Sequence, residues 1–158
     1  ILVSRGIVGD ALVRGKYTEA QLMRFRREGA RRFLRYPEDR YPGSMMMGDC
    51  GAFTYRDLPE PPYRAADTAE FYADGGFTHG CAPDHLIFDF DDEGHERSLS
   101  EVPDDVRARY SITLQNAAEF IGEAARLGPG FIPLGVIQGW SANSMRQAAG
   151  DLMRMGYD

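Results

Sequence analysis

The sequence predicts an α/β fold of parallel βαβ units, and three observations predict it. Short apolar, β-prone runs alternate with stretches of helical period. The helical stretches open on capping signals, Thr18 with Gln21 three residues on and Ser141 ahead of Ala142. They close on glycine or proline, at Pro37, Gly75-Gly76, Gly128-Pro129 and Gly156. Such alternation builds either an open doubly wound sheet or a (β/α) barrel, and the pattern alone does not choose between them.

In chain order, Ile1 to Val3 reads as the end of a strand. The Thr18 capping box opens a helix from about Thr18 to Arg35 with Leu22, Phe25 and Phe33 among its apolar positions, and Pro37 blocks its continuation. Ser44 to Met47 is a short buried strand with Met45, Met46 and Met47 in the core, running into Asp49-Cys50-Gly51-Ala52-Phe53. Pro59 to Pro62 is a loop, and Ala65 to Asp74 a short helix. A strand region from Phe77 to Phe90 is interrupted by Gly80 and Pro83, and the acidic loop Asp91 to Glu101 follows. A long helix covers Pro103 to Leu127, a strand Phe131 to Ile137 and a helix Ala142 to Met155, with Tyr157-Asp158 starting one more strand.

Length and composition bound the function. The 158 residues bury one good core and are too few for two ordinary domains. Hydrophobic residues at 43% and charged residues at 27% are those of a globular chain, and no apolar run approaches the roughly 20 residues that span a bilayer. With no signal stretch and only Cys50 and Cys81, the expected setting is a reducing cytoplasm. A formal charge of −6 argues against a general polyanion binder, although charge is unevenly spread. Arg24, Arg26, Arg27, Arg31, Arg32 and Arg35 make the first long helix basic. It is either a solvated face paired with Glu19 and Glu28 or a phosphate-tracking surface, for which Arg24, Arg27 and Arg31 are the candidates.

Both α/β architectures gather their chemistry at the carboxyl ends of the strands. Three polar residues stand there: Asp49, Asp84 and Gln138. Two carboxylates and an amide on one mouth can read a heterocycle, because a carboxylate accepts from ring and exocyclic N–H groups while an amide both donates and accepts. Phe53 or Tyr55 supplies a stacking face. The plainer alternatives are a turn or cap role for Asp49 and a strand-end polar role for Asp84. Gln138 ends so apolar a strand that it requires partners. His79, Cys81 and His85 with Asp84 match no standard zinc spacing, and Asp89, Asp91, Asp92, Glu93 and His95 read as a solvated acidic loop before a Mg²⁺ site.

Three segments carry a resemblance. Pro133-Leu134-Gly135-Val136-Ile137-Gln138-Gly139, with Met155-Gly156-Tyr157-Asp158 after the next helix, resembles the Gly-Ile-Val-Gln-Gly stretch of the tRNA-guanine transglycosylases and the Leu-Gly-Phe-Asp step that follows it. Gly48-Asp49-Cys50-Gly51-Ala52-Phe53 is similar to that family's Asp-Ser-Gly-Gly-Phe loop. His79-Gly80-Cys81-Ala82-Pro83-Asp84 resembles its Asp-Ile-Gly-Val-Pro-Leu-Asp strand. The three occur in family order and span most of the chain.

The resemblance implies a (β/α)8 TIM barrel, of which residues 1–158 are the N-terminal part, apparently continuing beyond Asp158. The implied activity is that of a pentosyltransferase, exchanging guanine in DNA or tRNA for a 7-deazaguanine base through a covalent glycosyl-enzyme intermediate. Carried over by position, Asp49 is the general acid/base, Asp84 binds the Watson–Crick edge of the base, Gln138 and the Gly139 backbone contact its carbonyl, and Phe53 stacks on the ring. The family's nucleophilic aspartate and its Cys-rich zinc site both fall beyond the point matching Asp158. No cofactor is therefore expected within this chain; either a longer chain or another polypeptide is expected to complete the barrel, and a homo-oligomer or a partner subunit stands among the expected partners. Cys50 for Ser, Ala52 for Gly, Thr54 for Gln and Trp140 for Gly depart from the family pattern. These departures favour, slightly, the paralogues that act on DNA. A non-catalytic paralogue that binds nucleic acid or a partner subunit is the alternative.

Overall fold

In the computed structural model, which describes residues 1–9, 13–91 and 96–158, four short strands lie side by side: β1 Leu2–Ser4, β2 Met47–Asp49, β3 His79–Cys81 and β4 Ile132–Leu134. Between and after them run α1 Arg5–Val8, α2 Glu19–Phe33, α3 Ala65–Gly75, α4 Asp104–Leu127 and α5 Ala142–Met155. Asp92, Glu93 and His95 of the expected acidic loop lie outside the described residues.

All three strand pairs are parallel and the strand order follows the chain, β1-β2-β3-β4. A doubly wound sheet reverses direction at a switch point, and these four strands contain no reversal. Each crossover steps one strand along, and neighbouring helices pack on one another, α2 on α3, α3 on α4 and α4 on α5. The sheet is open, with β1 and β4 at its edges.

Register divides the side chains between two faces. Val3, Gly48, Gly80 and Pro133 form one row across the strands. On the helix side of this row Tyr72 of α3 lies over both glycines, so close that a Cβ at either would stand 2.2 Å from its ring. The Tyr72 hydroxyl donates to the Cys81 carbonyl at 3.0 Å. Phe25, Phe77, Phe120 and Phe131 complete the apolar layer between helices and sheet. The adjacent row, Leu2, Met47, His79 and Ile132, points to the opposite face, where Leu2 and Ile132 are exposed.

The capping signals form as read. Thr18 Oγ1 accepts from the Gln21 amide while Gln21 Oε1 accepts from the Thr18 amide, closing the box at the start of α2. Ser141 does the same for α5 with Ser144, and Gly76 and Gly156 end α3 and α5 in the left-handed region. Several boundaries differ from expectation. α2 is not continuous: Gly29, at φ 74°, breaks it where the helix meets the carbonyl end of α3. The strand expected at Ser44 to Met47 begins at Met47, and of the three methionines only Met46 is fully buried. The expected strands Phe77 to Phe90 and Phe131 to Ile137 shorten to three residues each, because beyond Cys81 and Leu134 the chain turns to side-chain partners. Tyr157 begins no strand here; its ring is buried and its hydroxyl donates to the Ala117 carbonyl at 2.7 Å. α1 had no sequence signal. Among the described residues no helix is long and apolar enough to cross a membrane.

Candidate active site

The carboxyl ends of β2, β3 and β4 open onto one mouth. Asp49 is the last residue of β2 and lies two residues on from Met47, on the face away from the helices. The chain then turns sharply. Gly51 has φ 87°, and a Cβ there would stand 2.5 Å from the Gly6 nitrogen, so only glycine lets this loop pack against α1.

Asp84 stands three residues past β3 and is 4% exposed. Gln138, four residues past β4, donates from Nε2 to Asp84 Oδ2 at 2.7 Å, and its Oε1 accepts from the Ile87 amide at 3.2 Å. The partners that the sequence demanded for this amide are thus Asp84 and the backbone after it. The other carboxylate oxygen, Oδ1, accepts from the Cys50 thiol at 2.9 Å. Burial pushes the Asp84 carboxyl above the usual carboxylate range, and the nearby Asp49 adds to the rise, while hydrogen bonds from Cys50 and Gln138 oppose it.

The backbone around Asp84 is held from several sides. The Tyr55 hydroxyl lies 2.9 Å from the Asp84 carbonyl and 3.2 Å from Cys50 Sγ, and the Tyr63 hydroxyl donates to the Cys50 carbonyl. His85 is fully buried: its amide donates to Thr113 Oγ1 at 3.0 Å, Nε2 lies 2.8 Å from the Leu58 carbonyl and Nδ1 2.8 Å from Arg109 Nη1. Arg109 of α4 also donates to the carbonyls of Leu86 and Arg56, each at 3.0 Å, so one guanidinium clasps the loops after β2 and β3 together. With Arg109 donating to Nδ1, His85 is the neutral Nε2–H tautomer, and burial lowers its pKa.

Phe53, in a single 3-10 turn after Gly51, is 67% exposed beside the equally open Phe88, their ring centroids 6.4 Å apart at 63°. Tyr55, the alternative stacking face, is corrected by the structure: it is buried at 1% exposure and its ring meets Tyr63 and His85 edge-on. Gly139 is buried against the first turn of α5, where a Cβ would stand 2.7 Å from Ser144 Oγ. Trp140 is buried too, against Tyr110 and Ala148, donating from Nε1 to the Arg97 carbonyl at 2.8 Å while its own carbonyl accepts from the Asp91 amide.

The three arginines of α2 are not part of this mouth. Arg27 and Arg31 flank Gly29, which abuts Gly75 at the end of α3, where the chain turns toward the start of β3. Arg24 pairs with Glu28 at 3.0 Å; Arg31 reaches Glu38 at 2.9 Å, Ser44 Oγ at 2.8 Å and the Ser44 carbonyl. Arg27, which lies 3.5 Å from Glu28, is the most open of the three. Among the described residues no three His, Cys, Asp or Glu side chains are grouped to hold a metal ion. Burial pushes the Cys81 thiol up to about 12, and His85 faces away toward Leu58 and Arg109.

Sequence reading missed Tyr63, the Arg109 clasp and the hydrogen bonds made by the Cys50 thiol and the Tyr55 hydroxyl. Only Tyr55 and Tyr63 carried a signal, as aromatics with hydroxyls that need partners when buried.

No protein-family model matches this chain. A protein of Salmonella montevideo named DNA-guanine transglycosylase is 40% identical to it over 159 aligned positions, which cover 99% of this chain and 36% of that protein. The chain therefore spans about a third of the length of the curated relative that it matches. The aligned stretch takes in the Gly48–Phe53, His79–Asp84 and Pro133–Gly139 segments, and this likeness supports the tRNA-guanine transglycosylase superfamily and its DNA-modifying members.

Proposed function

We propose that the protein to which this chain belongs exchanges guanine in DNA for a 7-deazaguanine base. The observation that carries this reading is the Asp84–Gln138 contact. Each Asp84 oxygen accepts from one other side chain, Cys50 or Gln138, and has a further lone pair to offer a ligand. Gln138 spends one N–H on Asp84 and its oxygen on Ile87, which leaves one N–H to donate. Two acceptors beside one donor complement the N1–H, N2–H and O6 of guanine. Adenine would set its N1 acceptor against the carboxylate.

The exchange runs in two displacements. A nucleophilic carboxylate bonds to C1′ as the C1′–N9 bond breaks, the electron pair leaves with the base and Asp49 gives that base a proton. The incoming base then attacks C1′ and returns a proton to Asp49, expelling the carboxylate. Asp49 suits the part because it stands at a strand end on the face away from the helices. Phe53 stacks on the bound base and the Gly139 backbone contacts its carbonyl. In the family the chain resembles, the nucleophile and a zinc site fall past the position matching Asp158. Zinc would be held by residues outside this chain, and no step here runs through it.

The sheet is read as part of a closed (β/α)8 barrel. Sequential parallel order supports this, as does the row Leu2, Met47, His79 and Ile132, whose apolar ends Leu2 and Ile132 are exposed like those of an interior layer awaiting side chains from further strands. DNA is favoured over tRNA by the name of the Salmonella relative. The test is incorporation of labelled guanine by the complete protein into duplex DNA and, in parallel, into tRNA. Incorporation into DNA is expected; labelling of tRNA alone would reverse the substrate, and labelling of neither would overturn the activity.

A further inference from the structure

The part of the site with no assigned role is the thiol of Cys50. This side chain is fully buried, yet it is not packed as a simple hydrophobe. Its Sγ lies 2.9 Å from Asp84 Oδ1 and 3.2 Å from the Tyr55 hydroxyl, and its carbonyl accepts from Tyr63. A thiol has one proton. With a carboxylate on one side and a phenol on the other, that proton goes to the carboxylate, and the sulfur accepts from Tyr55. The Tyr55 hydroxyl, shared between Cys50 Sγ and the Asp84 carbonyl, ties the backbone of Asp84 to the residue that orients its side chain.

We infer that Cys50 is a positioning residue: its thiol, backed by Tyr55, fixes the plane of the Asp84 carboxylate so that both free lone pairs face the incoming guanine edge. A carboxylate held only by Gln138 would rotate about its Cβ–Cγ bond and present its lone pairs to the protein as often as to the base. Two fixed partners, one on each oxygen, remove that freedom before binding, so the ligand does not bear the ordering cost. The thiol also opposes the desolvation of the charged form, since a hydrogen bond donated to a carboxylate favours ionisation. The groups that face Asp84 are Cys50 and Tyr55 from the loop after β2, Gln138 from the loop after β4, Asp49 at the end of β2 and the neighbouring His85.

This inference rests on the base-reading role of Asp84, and its test separates the two. In the complete protein, the Asp84 carboxyl carbon is titrated by NMR and guanine binding is measured by calorimetry, for wild type, Cys50→Ala, Cys50→Ser, Tyr55→Phe and Asp84→Asn. Cys50→Ala is expected to raise the Asp84 titration midpoint and weaken guanine about tenfold, the loss of one hydrogen bond to a charged group. Cys50→Ser restores both, because a hydroxyl donates as the thiol does. Tyr55→Phe moves the midpoint in the same direction as Cys50→Ala and by less. A midpoint unchanged in Cys50→Ala, while Asp84→Asn weakens binding, would overturn the role of Cys50 and leave the base reading standing. Unchanged guanine affinity in Asp84→Asn would overturn both. If Cys50→Ala does not fold, the Cys50→Ser and Tyr55→Phe titrations decide: a wild-type midpoint in Tyr55→Phe together with lost binding in Cys50→Ser refutes the inference.

Discussion

Replacing Asp84 by Asn changes one atom at the centre of the proposed site, and the hydrogen bonds around it set the size of the effect. In the native arrangement Oδ1 is bonded to Cys50 and Oδ2 to Gln138, and each oxygen has a further lone pair to offer a guanine donor. The Asn amide oxygen settles at the Oδ2 position, where Gln138 donates, and the amide nitrogen falls opposite the Cys50 sulfur. One of the two contacts to guanine is then lost and a donor faces a donor. With hydrogen bonds to charged groups contributing about 1.5–3 kcal/mol each, the loss is about 3 kcal/mol, or on the order of 100-fold in Kd. The fold should not suffer. Burial raises the Asp84 pKa above its unfolded value, so ionisation costs the folded state stability as pH rises through the folded value, and that cost is absent at more acid pH. The neutral Asn escapes it, and the variant melts at or above the wild-type temperature at neutral pH. The assay is calorimetry with guanine on the complete protein, alongside thermal unfolding at acid and neutral pH. Native affinity with a native melt would refute the reasoning, since a base-reading carboxylate cannot lose an acceptor without consequence.

Three further outcomes follow from the same geometry. Asp49→Ala in the complete protein should abolish incorporation of labelled guanine while guanine binding stays measurable, because the proton carrier is removed and Asp84 with Gln138 is left; near-normal turnover would show that Asp49 is a loop residue. Charge reversal at Arg24 and Arg27 should flatten the salt dependence of DNA binding without a change in stability, whereas Arg31→Glu should lower stability by about 1–2 kcal/mol through loss of its bonds to Ser44; an unaltered salt slope would put the phosphate track elsewhere. His85, with its pKa lowered by burial from the usual 6.5, contributes stability that is present above pH 6.5 and lost as pH falls through the folded value, so His85→Gln should flatten the decline in melting temperature below that pH; an equal decline in both proteins would assign it to other groups.

Much of this was legible in the residues, and unevenly so. Capping boxes and glycine stops are local events, settled within one turn of chain, and the starts of α2 and α5 fall where Thr18 and Ser141 placed them. Parallel pairing joins distant segments, and Asp84 meets Gln138 from 54 residues away; the rule that α/β sheets gather chemistry at their strand ends, with motif likeness beside it, brought those two residues to one site. Strand lengths were overread because apolar runs such as Phe131 to Ile137 continue past the point where the backbone leaves its neighbour. The break at Gly29 was hidden by an unbroken helical pattern, and nothing in the run from Arg24 to Arg35 distinguishes Arg31, anchored to Ser44, from the more open Arg27. Arg109 is the clearest case of an illegible residue: in the sequence it is one more arginine on a long helix, and only the fold shows it bonded to His85, Leu86 and Arg56.

The ring of Tyr72 resting on Gly48 and Gly80 binds three distant positions into one heritable unit. Neither glycine can gain even a methyl group while the tyrosine stays, since that methyl would stand 2.2 Å from the ring. A smaller residue at 72 would in turn leave a void against two bare strands. Homologues should therefore vary at 48, 72 and 80 in concert or not at all, a covariation that a sufficiently deep collection of sequences can detect. Because Gly48 immediately precedes Asp49, and because the Tyr72 hydroxyl holds the Cys81 carbonyl, drift in the buried layer would reach the mouth of the sheet within one residue. Selection on the chemistry of that mouth thus extends to a tyrosine on the far side of the sheet.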